Sequence, residues 1–341
     1  LIRIGPENIP EFYNPLTGLP VANPNLLERR PIAIKVSNYP HSVRPQSGLS
    51  LADNVYEYYL EDGITRFIAI FYGNDASKVG SIRSGRLFDE HIARMYNAIL
   101  VFNSADDKVI DYFMSTDLVQ RLVVDRDCPP ICRDTERPYP HNLFGNTREI
   151  TEYIEERGSD NSRPNLESNF FYSLGGRTKS MASDIYVTYS YASYARWTFD
   201  FSSRRYHRYQ GSEDNLGGGE GVYTLLTDDL TGEPIGADNV VILFVPHEFY
   251  YKSSDTEIFS INLVDSGPAY VFRDGKAYPA KWVRKAEDRP LSILTEGGAP
   301  FPLKPGITYF QVMSADSTFT KTEPLWWFEF VRPVYEEDEG E

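Results

Sequence analysis

The segment Lys78-Val-Gly-Ser-Ile-Arg83-Ser84-Gly85-Arg86 breaks a local rule. It leads into a stretch with Phe88, Ile92, Met95 and Ile99 at helical spacing, so a helix over 85–97 with Ser84 as its N-cap is expected. A helix N-terminus carries partial positive charge and normally draws Asp or Glu, and an exposed cation there costs about 0.3–1 kcal/mol. Arg83 and Arg86 at this end make sense if an anion lies between them. Free backbone N–H groups, the hydroxyls of Ser81 and Ser84, a close-approach Gly85 and two guanidinium forks suit a phosphate or a carboxylate. The competing reading is internal: Asp53, Glu57, Glu61 and Asp62 precede the segment and could neutralise the arginines within the fold.

Two further stretches point the same way. Arg44-Pro-Gln46-Ser47-Gly-Leu-Ser50-Leu-Ala-Asp53 reads as a polar loop running into a short helix capped by Ser50, and Glu61-Asp62-Gly63-Ile64-Thr65-Arg66 as a tight turn into a strand. Strand ends and helix starts converge on one cleft in α/β folds, so Arg44, Arg66, Arg83 and Arg86 are expected to meet. Asp53, Glu57 or Glu61 could act there as a general base, with the arginines holding developing negative charge, which would make a hydrolase or transferase. Other catalytic signatures are missing: the chain has no GxSxG elbow, no Walker A loop, no GxGxxG after a strand and no HExxH. Five scattered histidines (His41, His91, His141, His207, His247) read as surface or core residues, and no cofactor or metal is expected.

Cys128-Pro-Pro-Ile-Cys132 admits a small disulfide loop, two free thiols or half of a metal site. The last lacks a second ligand pair, and the prolines argue against a redox helix.

The elements that must position these residues fall into two groups. Ile32–Ser37, Val55–Leu60, Arg66–Tyr72 and Ala98–Phe102 read as strands, the third doubly buried. A second helix is expected from Ser104, with Asp106 and Asp107 in its first turn, and a third from Asn146 to a stop at Gly158. From Met181 onward residues alternate and turns recur, and Val271–Tyr278 reads as a hairpin about Asp274-Gly275. Gly217–Gly221 reads as a hairpin tip. The fold class is thus α+β: a mixed α/β domain over 31–160, a linker over 161–180 and a mainly antiparallel β domain over 181–333. A proline-rich, extended tether over 1–30 precedes them, and an acidic tail over 334–341 follows.

At 341 residues, about two domains are expected. Apolar residues at 41% and charged residues at 24% describe an ordinary globular chain, and no apolar run approaches the roughly 18 residues of a membrane span. Acidic residues outnumber basic ones 49 to 34, a net charge of −15 that argues against nucleic acid. The tyrosine-rich run 186–209, with Arg204, Arg205, His207 and Arg208 interleaved, therefore reads as sheet-face cross-strand pairs. An exposed aromatic face docking another protein is the alternative.

Arg44-Pro-Gln-Ser-Gly-Leu-Ser-x-Ala-Asp53, Gly63-Ile-Thr-Arg-Phe67, Lys78-Val-Gly-x-x-Arg83-Ser84-x-Arg86 and His141-Asn142 together resemble the YerB-like bacterial lipoprotein family. So do Asn239-Val-Val-Ile242, the Asp274-Gly275-Lys276 turn and Pro305-Gly306. The resemblance covers nearly the whole chain. It implies a two-domain protein outside the cell, anchored to the outer face of the cytoplasmic membrane through an N-terminal lipid. The chain opens on Leu1, so a leader and lipid-bearing cysteine are expected ahead of it. The resemblance carries over no catalytic residue, and Cys128, Cys132 and the 217–221 loop depart from the pattern. The motif positions Gln46, Ser47, Thr65, His141 and Asn142 join Arg44, Asp53, Glu57, Glu61, Arg66, Arg83, Ser84 and Arg86 as the candidate ligand-binding set. The expected partner is an anionic cell-wall component or a wall-synthesis protein, with no nucleic acid and no membrane contact beyond the anchor.

Overall fold

The computed structural model describes residues 2–124 and 128–334. At its centre lies a ten-stranded sheet to which both halves of the sequence contribute. In spatial order its strands are Ser292–Thr295, Lys276–Arg284, Asp265–Arg273, Asn239–Val245, Thr308–Ser314, Asn54–Tyr59, Thr65–Phe71, Ile32–Ser37, Ile99–Phe102 and Leu122–Val124. The junction is Thr308–Ser314, which runs parallel to Asn54–Tyr59 with Thr308 opposite Asn54 and Val312 opposite Tyr58. Every residue of both strands is buried, as it is in Thr65–Phe71 and Asn239–Val245. Such near-continuous apolar runs are what a sheet covered on both faces requires.

Successive strand side chains point to opposite faces. The register Ser37↔Arg66↔Tyr58 therefore sets Lys35, Tyr58 and Arg66 on one face, and Glu57, Thr65 and Phe67 on the other. Helices cover the first face. Asp89 of α1 (Phe88–Met95) accepts from the Tyr58 hydroxyl at 2.6 Å and from Lys35 Nζ at 2.9 Å. Phe113 of α2 (Asp107–Ser115) packs its ring 5.6 Å from that of Phe102.

A seven-stranded sheet covers the second face. Its strands Asp184–Thr188, Tyr194–Asp200 and Arg205–Gly211 alternate buried and half-buried residues, the signature of one packed face. Trp197 meets Tyr309 at 4.8 Å, Arg208 lies 5.0 Å over the Phe67 ring, and Arg208 Nη2 pairs with Glu57 Oε2 at 2.8 Å. The outward-facing Tyr186, Tyr209 and Tyr223 gather around Arg196 within 4.8–6.0 Å, and Trp327 stacks on Tyr186. This is the expected cross-strand ladder.

The α+β class holds, and so do the strands and the three helices expected in the first half. The Asp274-Gly275 hairpin turn holds too, with φ of 54° and 71° at its two centre residues. Cys128 and Cys132 form a disulfide. Several details differ. α1 starts at Phe88, and Ser84 does not cap it; the Asp89 carboxylate instead accepts from the Arg86 amide at 2.8 Å. α2 begins at Asp107, capped by Asp106, and not at Ser104. Ser50 lies inside the 3₁₀ turn Leu49–Leu51, where Asp228 accepts from the amides of Gly48 and Ser50. Residues up to 30 have the irregular backbone their prolines dictate, yet they are no free tether. Ile4, Leu16 and Leu27 are buried, and Arg3–Ile4 pairs with Phe171–Tyr172 of the expected linker. Apolar side chains interspersed among the prolines are what hold this stretch down. The acidic run from Glu336 lies outside the described residues.

Replacing Arg208 with Met leaves Glu57 buried without its partner. Urea unfolding should show a loss of about 3–5 kcal/mol. A Glu57→Gln, Arg208→Met double variant should lose much less, and equal losses would show that charge pairing is not what the site needs.

Candidate functional site

The segment 80–86 crosses one end of the large sheet. The Ser37 amide donates to Ser81 O (2.9 Å), the Arg83 amide to Lys35 O (3.2 Å), the Asn103 amide to Arg83 O (3.1 Å) and the Gly85 amide to Ser104 O (3.0 Å). It is thereby laced to the carboxyl ends of the parallel strands Ile32–Ser37 and Ile99–Phe102, where α/β sheets gather ligands. On its other side Gly80 pairs with Phe144, and the Ile82 amide reaches Leu143 O at 2.7 Å. A Cβ on Gly80 would lie 2.7 Å from that same Leu143 oxygen, so glycine is required for the approach. His141 lies two residues before the strand Leu143–Gly145, which pairs with Val79–Gly80.

Arg86 is answered from within. Its Nε donates to Glu61 Oε2 at 3.0 Å, its Nη2 pairs with Glu61 Oε1, and its Nη1 donates to Gly85 O at 2.8 Å. Burial pushes the Glu61 carboxyl up, but Arg86 pulls it further down, and the net shift is downward. Asp89 likewise satisfies both the start of α1 and Lys35, whose ammonium burial lowers to about 7. The cost of cations at this helix end is therefore met by the chain's own acids.

Arg66 and Arg83 are not answered in this way. Arg66 is only 7% exposed, and its one side-chain bond among the described residues is from Nη1 to Ser84 O at 2.7 Å. Burial first, and then repulsion from Arg86 and Arg83 against a weaker pull from Glu61, lowers it to about 9. Arg83 is half-buried, its Nε has no partner, and burial and Arg86 lower it. Neither makes an ion pair among the described residues. His141 joins them: its Nδ1 is buried and unpartnered, and burial, Arg83 and Arg66 all lower its pKa. Arg83 and His141 thus each keep a buried nitrogen without a partner, and Arg66, which repels both, spends its Nη1 on a carbonyl. Buried polar groups ordinarily find partners.

The other expected site residues lie elsewhere. Arg44 sits toward the second sheet, donating to His41 Nδ1 (2.8 Å), Asn38 O (2.8 Å) and Gly211 O, with burial and Arg208 lowering it to about 10. The four arginines therefore do not form one cleft; the large sheet separates Arg44 from Arg66. Glu57 is taken by Arg208, Thr65 Oγ1 (2.8 Å) and Asn38. Gln46 holds Ser37 O and Asn38 (3.1 and 3.3 Å), and Ser47 holds Asp229 (2.8 Å). Asn142 accepts from Arg133 (2.9 Å) and donates to Asp134 O (3.0 Å) within its own loop. Asp53, at the far end of its strand, accepts from the amides of Tyr72 (2.6 Å) and Gly73 (2.9 Å); burial raises it to about 6 against the pull of those amides. Each of the three carboxylates considered as a base is thus committed to holding the fold. A groove of about 490 Å³ opens beside Arg86, but Glu61, Asp62, Asp106, Asp255 and Glu257 line it and disfavour an anion.

Sequence reasoning missed Lys35, Asp89 and Arg208. The signals were there: Lys35 interrupts the apolar run Ile-Ala-Ile-Lys-Val, and strand alternation places Arg208 inward with Tyr206 and Gln210.

A helix-backed sheet with a second sheet on its other face, carrying an unneutralised cationic cluster at the strand ends, defines a two-part α+β protein with a candidate anion site. The chain belongs to the DUF3048 family: the description "Protein of unknown function (DUF3048) N-terminal domain" matches residues 16–160, and the corresponding C-terminal domain matches 185–310. It is 27% identical over 312 residues, 90% of this chain and 88% of the relative, to "Putative lipoprotein YerB" of Bacillus subtilis (strain 168). The crystal structure of the Bacillus subtilis YerB protein superposes with a TM-score of 0.71 at 26% identity, covering 89% of this chain and 97% of that one. The kinship suggested by the motifs is thus established.

Two stability measurements test this account. Arg83→Ala should leave the thermal midpoint unchanged or raise it, because it relieves repulsion and breaks no bond; a clear drop would show a hidden structural role. The raised pKa of Asp53 means that folding stability declines as pH rises from about 4 to about 6. Asp53→Asn should remove that part of the decline in urea titrations at pH 4 and pH 7.

Proposed function

We propose that this protein works outside the cytoplasmic membrane as a non-catalytic binding protein of the cell envelope. It holds an anionic group of the cell wall at Arg66, Arg83 and His141. The observation that carries this reading is a pair of uncompensated guanidiniums, one of them buried, at the carboxyl end of a sheet in a chain of net charge −15. Keeping two like charges close in a partly desolvated place is unfavourable for folding, and an external anion turns that penalty into affinity. The lipoprotein name of the relative supports a membrane-anchored position outside the cell. A hydrolase or transferase at the same place gains no support, since Asp53, Glu57 and Glu61 are all engaged.

Titration with anionic wall-polymer fragments tests the reading. Arg83→Ala should weaken binding about tenfold or more, the scale of one charge-assisted hydrogen-bonded contact. Arg44→Ala, on the other side of the sheet, should bind as the wild type does. Equal affinity in all three proteins, or no binding by the wild type, removes the proposal.

A further inference from the structure

The geometry points to a second binding site, for a primary ammonium on an apolar stem, in the cavity where the 13–22 segment closes over Asp53. It lies at the opposite end of the large sheet from Arg66 and Arg83 and is independent of the anion-binding reading above. The cavity measures about 430 Å³. Asp53, Ile307 and Asp238 line it, each one residue ahead of the parallel strands Asn54–Tyr59, Thr308–Ser314 and Asn239–Val245. The hairpin of Tyr13–Asn14 and Leu19–Pro20 forms the other wall, tied down by the Gly306 amide, which donates to Thr17 O at 2.8 Å.

The ionic groups of this cavity do not cancel. Asp238 is answered by Lys304 Nζ at 3.1 Å and Arg205 Nε at 3.4 Å. Asp53, only 2% exposed, makes no ion pair among the described residues. Arg29 attracts it but is spent on Asp75 at 2.7 Å. Burial raises the Asp53 carboxyl to about 6, so it is charged at pH 7.5. A lone buried charge is unfavourable, and a cation entering the cavity offsets it.

The shape and the polar groups select the cation. Both amide bonds to Asp53, from Tyr72 and Gly73, end on Oδ2, and a carboxylate accepts on two oxygens, so Oδ1 is the acceptor left for a ligand. The ligand must therefore donate. Val21, Ala22, Pro305 and Ile307 give the same cavity apolar walls, which suit an alkyl stem behind the charged head. A divalent metal needs more oxygen ligands than this. Among the described residues no three His, Cys, Asp or Glu are grouped to hold one. An ammonium, with three donors on one small head, needs only the one carboxylate.

The test is calorimetric titration of the full chain at pH 7.5 with n-butylamine, 1-butanol and calcium chloride. Butylamine should bind at least about tenfold tighter than butanol, the difference that a charge-assisted hydrogen bond makes. Asp53→Asn, which keeps the shape and an oxygen for the two amides, should abolish that preference. Ala22 is an exposed residue of the wall, so Ala22→Trp should fold and should block butylamine by filling the cavity. Four results overturn the proposal: butanol binding as tightly as butylamine, butylamine binding that either variant leaves unchanged, calcium displacing butylamine, or no butylamine binding at all. Wall-polymer binding that persists in Asp53→Asn and falls in Arg83→Ala separates this site from the anion site. Nα-acetyl-lysine amide presents the same ammonium on a peptide. With the site upheld, binding of this compound at least as tight as that of butylamine identifies a lysine side chain as the source, and weaker binding identifies a free alkylamine.

Discussion

Thr308–Ser314 lies between Asn54–Tyr59 and Asn239–Val245, parallel to both, and hydrogen-bonds to each. Much of the molecule follows from that one insertion. It joins two sets of strands, from sequence segments some 250 residues apart, into one sheet, so neither set keeps a free edge at the join. It also makes the middle of the sheet an interior on both faces. Side chains there cannot reach water by turning outward, and any charge among them must find its partner in a covering layer.

The buried charges follow this constraint face by face. Lys35 points to the helical side and meets Asp89; Glu57 points to the other side and meets Arg208 from the second sheet. In both cases the acid and the base come from different elements, so each pair also fixes how a covering layer sits. Removing one member strands the other, which is why such pairs enforce a particular arrangement even where their net contribution to stability is modest.

Against that background Arg66 and Arg83 differ from Lys35 and Glu57. The same sheet that gives Lys35 and Glu57 each an opposite charge leaves these guanidiniums, among the described residues, with a carbonyl or without an acid. Local conflicts of this kind concentrate at functional sites, because a contact reserved for a ligand is left incomplete in its absence. The segment carrying Arg83 is meanwhile tightly held by backbone hydrogen bonds on two sides. The unpaired side chain therefore stands on a rigid support, as a recognition group should.

Read by itself, the sequence determined the character of the elements. Periodicity marked the strands, the helices and the turn at Asp274-Gly275, because those depend on neighbours within a few residues. The motifs also announced the kinship, since their order along the chain survives without coordinates. Tertiary structure alone decided which charges meet. Arg86 and Glu61 are 25 residues apart, and Arg208 and Glu57 are 151 apart. Nothing local distinguishes the arginine that finds an acid from the one that does not. Arg44 and Arg66 looked equivalent in the sequence, yet opposite faces of one sheet separate them. Helix starts misled for the same reason: Ser84 and Ser50 are sound caps by type, but Asp89 and Asp228 reached those amides instead. Charge pairing and burial are properties of distance in space, and only the packed chain sets those distances.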